Sequence, residues 1–136
     1  MASKLCLVPF FSALLLFPGC SQGPKLVSVE GAVTYQGKLV PMGSIVFVPS
    51  NGGPNAEGNI GKDGKFHLLT RDLGPGAVIG EHKVMIIALE DSPGLLPEDT
   101  RPLKPPLIPI KYSDLNQSGL TAKVEDKANV INFDLK

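Results

Sequence analysis

Apolar and polar residues alternate along most of the chain with the two-residue period of half-buried strands. From residue 26 to 35, Val27, Val29, Val33 and Tyr35 fall on one side and Ser28, Glu30 and Thr34 on the other. Gly31 stands on the inner side, where a missing side chain lets a neighbouring element come close or marks a bulge. Gln36-Gly37 predicts a turn, and residues 38–40 a short returning strand. Pro41 cannot donate to a ladder and Gly43 permits unusual dihedrals, so the chain turns again. The apolar run at 44–48 predicts a central strand covered on both faces.

Residues 50–55, with two Gly, two Asn and a Pro, read as loop. Residues 56–60 and 65–70 read as a hairpin around Asp63-Gly64, a pair suited to the positive dihedrals of a type I′ turn, with Phe66 and Leu68 facing inward. Residues 71–80 contain Gly-Pro-Gly and read as a second loop. Residues 81–89, carrying Val84, Ile86 and Ile87, form the longest apolar strand. Prolines recur from Pro93 to Pro109, and little between 90 and 119 predicts regular structure; such long connections are either functional or simply stiffened links. Two alternating strands close the chain at 120–125 and 129–135, with Leu120, Ala122 and Val124, then Ile131, Phe133 and Leu135, turned inward. About seven strands and no helix predict an all-β chain, an antiparallel β-sandwich.

Composition agrees with one domain. The chain has 136 residues, 43% of them hydrophobic, and its thirteen basic and thirteen acidic residues cancel. No basic run offers nucleic acid a footprint, so nucleic acid is not an expected partner.

The first residues read as a targeting segment. Lys4 supplies a positive start, and the apolar stretch from Leu5 to Phe17 is shorter than the ~20 residues of a membrane span. Its end, Leu16-Phe17-Pro18-Gly19-Cys20, resembles the lipobox of bacterial lipoproteins, in which the cysteine is lipidated and becomes the mature N-terminus. Gly19 and Cys20 match; Phe17 and Pro18 depart from the usual small or aliphatic residues. The resemblance implies a signal peptide at 1–19, palmitate-type acylation at Cys20, a tether at 20–25, and membrane lipid as a partner of the anchor. An ordinary cleaved signal with an incidental cysteine is the alternative. Cys6 lies within the segment to be removed, so the exported chain would keep one thiol and no internal disulfide. Ser21 does not resemble the aspartate that retains lipoproteins at an inner membrane, which favours the outer membrane or cell surface.

The patterns EGAVTYQGKLVPMGSIVFVP, GNIGKDGKFHL and GEHKVMI, at Gly31–Val33, Gly37–Pro41, Ile45–Val48, Asp63–Phe66 and Gly80–Val84, resemble the carboxypeptidase regulatory-like domain. The later IPIKYSDLNQSGLTAKV and INFDLK resemble small bacterial lipoproteins built from one such domain. This implies a transthyretin-like (prealbumin-like) sandwich over 26–136, acting as a structural or protein-interaction module of the cell envelope. Transthyretin-like hydrolases of hydroxyisourate end in Tyr-Arg-Gly-Ser. This chain ends in Asp134-Leu135-Lys136, so their activity does not carry over.

The residues themselves point away from catalysis. His67 and His82 are the only histidines and have no metallopeptidase spacing; both are expected at solvated or edge positions. Asp91, Glu98 and Asp99 match no Ca²⁺ loop. The glycines at 52–53 precede no helix, and Tyr112-Ser113-Asp114 reads as an aromatic packed under the long loop with an Asp turn after it. No catalytic, metal or cofactor-binding residue is expected, and Cys20 is the single modified position. A small-ligand or carbohydrate-binding module is the alternative function, disfavoured by the absence of Trp and the presence of only two Tyr.

Overall fold

The computed structural model describes residue 19 and residues 23–90 and 104–136. The chain forms two packed sheets, as the alternation predicts. Strand β1 (Leu26–Val27) and strand β2 (Val29–Tyr35) divide at Ser28, so the expected single strand serves two sheets. The six-stranded sheet runs in the order β11 (Leu120–Val124), β10 (Gly80–Ile87), β4 (Gly43–Pro49), β5 (Ala56–Ile60), β7 (Leu69–Thr70), β8 (Gly74–Pro75). The other sheet is built on β2. Along one edge it pairs antiparallel with β3 (Lys38–Leu39) and β6 (Lys65–His67); along the other, β12 (Asn129–Val130) and β13 (Phe133–Leu135) run parallel to it. The sandwich is therefore antiparallel except where its last two strands lie. A small ladder of β1 with β9 (Ala77–Val78) borders the edge near β8.

Inward residues alternate along each strand, giving β2 its buried Val29, Gly31 and Val33, and β10 its buried His82, Val84 and Ile86. Strand β4 is central, but only Ile45, Phe47 and Pro49 are buried. Its other face, with Val46 and Val48, is half-buried, not covered as expected. Phe47, Phe66 and Phe133 meet in the middle with ring centroids 5.9 to 6.4 Å apart. Each such pair adds about 0.5–1.5 kcal/mol beyond the area it buries.

Turn chemistry differs from expectation in an informative way. At Asp63-Gly64 only Gly64 has positive φ, 75°. The Gly64 N–H donates to Gly61 O, the Gly61 N–H to Lys65 O, and Asp63 Oδ1 accepts the Lys65 N–H. This is a three-residue loop closed by a left-handed glycine, not a type I′ turn. The type I′ dihedrals fall instead at Gln36 and Gly37, φ 50° and 77°, joining β2 to β3. The 71–80 loop contains β8 and β9, held by Gly76 N–H to Leu68 O and by the buried Thr70 hydroxyl donating to Gly76 O. A single 3-10 turn, Ile110–Ser113, follows the proline-rich stretch.

Gly31 does what its inner position predicts. A Cβ there would overlap the Ile131 carbonyl, so the close approach of residues 131–132 requires glycine. At the same point β12 gives way to β13, and the Asn132 side-chain oxygen, in place of a carbonyl, accepts the Ala32 N–H at 3.0 Å.

The registers define two ends. Residues 25–28, 49–50, 70–76, 80–81 and 125–129 gather at one; 36–43, 61–64, 87–90, 104–113 and 136 gather at the other. Seven residues of β2 span between them, about 23 Å at ~3.3 Å per residue. The described chain enters at the first end.

Candidate interaction surface

Cys20, the acidic residues 91, 98 and 99, and positions 91–103 of the proline-rich stretch lie outside the described residues. Among the described residues no group of three His, Cys, Asp or Glu could hold a metal ion, and no helix is long and apolar enough to cross a membrane. The Gly52–Gly53 turn precedes strand β5, so no helix N-terminus faces it.

His67 is exposed, as expected, and its Nδ1 lies 3.2 Å from Glu30 Oε2. It stands between two shallow grooves. One, of about 320 Å³, is lined by Glu30, Lys65, His67, Val130 and Asn132; the other, of about 350 Å³, by Glu57, Asn59, His67, Leu69, Arg71 and Asp72. Arg71 reaches Glu57 at 3.6 Å. Exposed pairs of this kind contribute about 0–1 kcal/mol to stability.

His82 is not the edge residue the sequence predicts. It is 1% exposed, turned into the core beside Phe47, with ring centroids 5.7 Å apart. Its Nδ1 lies 3.0 Å from Gly80 O, so Nδ1 carries the proton, and the buried Nε2 has no partner among the described residues. Burial pushes its pKa below the ordinary 6.5, against the smaller opposing pulls of the Gly80 carbonyl and the Glu81 carboxylate.

Tyr112 packs inward as expected. Its hydroxyl donates to Lys136 O at 2.9 Å and accepts the Lys136 N–H at 3.1 Å, tying the last residue to the 3-10 turn. The Asp114 carboxylate accepts the Asn116 N–H, the expected Asp turn.

The end of the sandwich carrying the proline-rich segment exposes several large apolar residues, and Leu73 and Ile79 are exposed at the entry end. Leu39 is 54% exposed, Ile110 68%, Leu89 44% and Met42 38%. Residues 106–109 form a ridge held by Leu107 N–H to Ala88 O. On one side lies a groove of about 290 Å³ formed with Tyr35, Lys38 and Leu39; on the other, one of about 240 Å³ formed with Ile87, Leu89 and Ile110. The sequence marks this region only as proline-rich. Leu39 and Met42 join it because the 36–37 turn and Pro41 bring the chain back to the same end. Comparison with protein-family models, curated proteins and solved structures yields no match to this chain.

Proposed function

We propose that this chain is a non-enzymatic lipoprotein of the bacterial cell envelope. Residues 1–19 are removed, Cys20 is acylated, and the sandwich, a carboxypeptidase regulatory-like domain of transthyretin-like kind, acts as a protein-interaction module. The observation that carries this reading is the exposed apolar surface at the end of the sandwich away from the tether. The chain enters at one end, and the exposed Leu39, Met42, Leu89 and Ile110 crowd the other. Anchoring through residue 20 holds the first end near the membrane and turns the apolar end outward. Contiguous apolar surface on a monomer marks sites of contact. Two or more acyl chains, at about 0.8 kcal/mol per buried CH₂, make such an anchor stable. Labelled palmitate should enter the wild-type chain and not Cys20→Ser; incorporation that survives the substitution defeats the anchor.

A second reading draws on the grooves beside His67, where Asn59, Asn132, Glu30 and Arg71 offer the mixed donors and acceptors that hydroxylated ligands use. A ligand bound there at a hundred times its Kd raises stability by about 2.7 kcal/mol, so a thermal-shift screen with oligosaccharides tests it.

A further inference from the structure

The chain has six asparagines, and only Asn51 is followed by glycine. Asn51 and Gly52 are both exposed, in the connection between β4 and β5. The turn runs from Pro49 to Gly52 and is closed by the Gly52 N–H donating to Pro49 O at 3.3 Å, longer than the ~2.9–3.0 Å usual for such a bond. Gly52 and Gly53 have positive φ, 79° and 117°, and nothing stands within 4 Å of the place a Cβ would take on either. The Gly52 amide nitrogen is therefore unhindered, weakly held and outside every ladder.

The other asparagines are placed differently. Asn55 is followed by Ala56, Asn59 by Ile60, Asn129 by Val130 and Asn132 by Phe133, all residues held in strands. Asn116 is followed by Gln117, whose N–H donates to Asp114 O at 3.1 Å. The side-chain amides of Asn129 and Asn132 are themselves bound to backbone groups.

We infer that Asn51 is a site of spontaneous deamidation through a succinimide. The Gly52 nitrogen loses its proton and bonds to Asn51 Cγ; the Cγ–Nδ2 bond breaks, and Nδ2 leaves as ammonia. Water then adds to one of the two ring carbonyls. Opening at Cγ leaves aspartate. Opening at the main-chain carbonyl leaves isoaspartate, whose main chain runs through the side-chain carbons and is longer by one methylene. Nothing is oxidised or reduced, and water is the sole reagent.

Asparagine is thermolabile in general, and local structure decides which one reacts. Ring closure swings Cγ over the following nitrogen, a backbone rotation that a strand ladder forbids and an exposed turn permits. Glycine after the asparagine leaves the path open, where any Cβ would crowd it. Either product adds one negative charge to a chain whose formal net charge is zero. The change falls at the entry end and does not depend on the function proposed above.

The test incubates the full-length protein, in detergent micelles, in heavy-oxygen water at neutral and mildly alkaline pH. Digestion then follows in ordinary water, so that conversion during digestion carries no label. The tryptic peptide spanning residues 39–62 contains Asn51, Asn55 and Asn59, and fragment ions compare the three within one molecule. Label should enter at position 51 alone, with isoaspartate the larger product, and faster at alkaline pH because the deprotonated nitrogen attacks. Gly52→Ala, confirmed folded by its melt, should slow the conversion several-fold. Asn51→Gln, which would have to close a larger ring, should leave the peptide unlabelled.

Asn51 left intact would overturn the inference, and conversion of a urea-unfolded sample alongside would trace the failure to the folded turn. Label entering Asn55 or Asn59 as fast as Asn51 would overturn it too. So would aspartate formed without isoaspartate and at the same rate in Gly52→Ala, the mark of direct hydrolysis of the side-chain amide.

Discussion

Gly31→Ala places a methyl group where the 131–132 segment crosses β2. The new Cβ would overlap the Ile131 carbonyl oxygen, sit 2.6 Å from its carbon and 3.0 Å from Phe66 Cζ. Backbone lies on one side and a core ring on the other, so relief requires β2 and the C-terminal strands to part. Overpacking of this kind costs about 1–3 kcal/mol. Parting also weakens the Ile131 N–H to Glu30 O bond at 2.8 Å and the Ala32 N–H to Asn132 Oδ1 bond at 3.0 Å. Each contributes about 0.5–1.5 kcal/mol. A stiffer unfolded chain returns roughly 0.4–1 kcal/mol. The net loss is about 3 kcal/mol, a large share of the ~5–15 kcal/mol of a small domain. For a folded unit of about 110 residues this lowers Tm by roughly 10–15 °C. Gly37→Ala is the control. Nothing lies within 4 Å of its Cβ, but φ is 77°, so it should cost only about 1–2 kcal/mol of left-handed strain. Differential scanning calorimetry on both variants decides the matter. If Gly31→Ala melts no lower than Gly37→Ala, the close approach at Ile131 is wrong.

Three further outcomes follow from buried polar groups. His82 has a folded pKa below 6.5, so above pH 6.5 both states are neutral and its full contribution is present; as pH falls from 6.5 the unfolded chain takes the proton first and stability drops. Melts of His82→Leu should lack that component of the decline between pH 6.5 and the carboxylate range, and an unchanged pH profile would remove His82 as its cause. Asn129→Ala removes the side-chain bonds that close the 125–129 turn, to Glu125 O, Lys127 O and the Glu125 N–H, and should cost about 2–3 kcal/mol in urea denaturation. Tyr112→Phe should cost about 1 kcal/mol by the same assay and speed hydrogen exchange at the Lys136 amide.

Strand positions were legible because burial on one face imposes a period of two, and the inner placement of Gly31 was legible for the same reason. Partner choice was not. Residues 129–135 read as an ordinary alternating strand, and nothing local shows that they run parallel to β2 or break at Asn132. The dipeptide at 63–64 marked the right loop but the wrong turn, because Asp63 keeps negative φ and uses its carboxylate on the Lys65 N–H. His82 looked like a strand-opening edge residue, yet β10 has neighbours on both sides, β4 and β11, and the pleat turns its ring inward. The proposed interaction surface was half-visible. Prolines flagged residues 93–109, but Leu39 and Met42 reach the same end only through the registers of β2, β3 and β4. The roles of Asn129 and Asn132 were not legible within that strand, since their bonds are to backbone groups that folding brings near.

The central claim is that the proposed partner meets the end bearing Leu39 and Ile110, away from the tether. It is tested most directly in cells, by placing a photo-crosslinking amino acid at Ile110 or at Lys83 of the full-length chain and identifying products by mass spectrometry. The account predicts one dominant protein partner from position 110 and none enriched from position 83. The same spread of envelope proteins from both positions would contradict it.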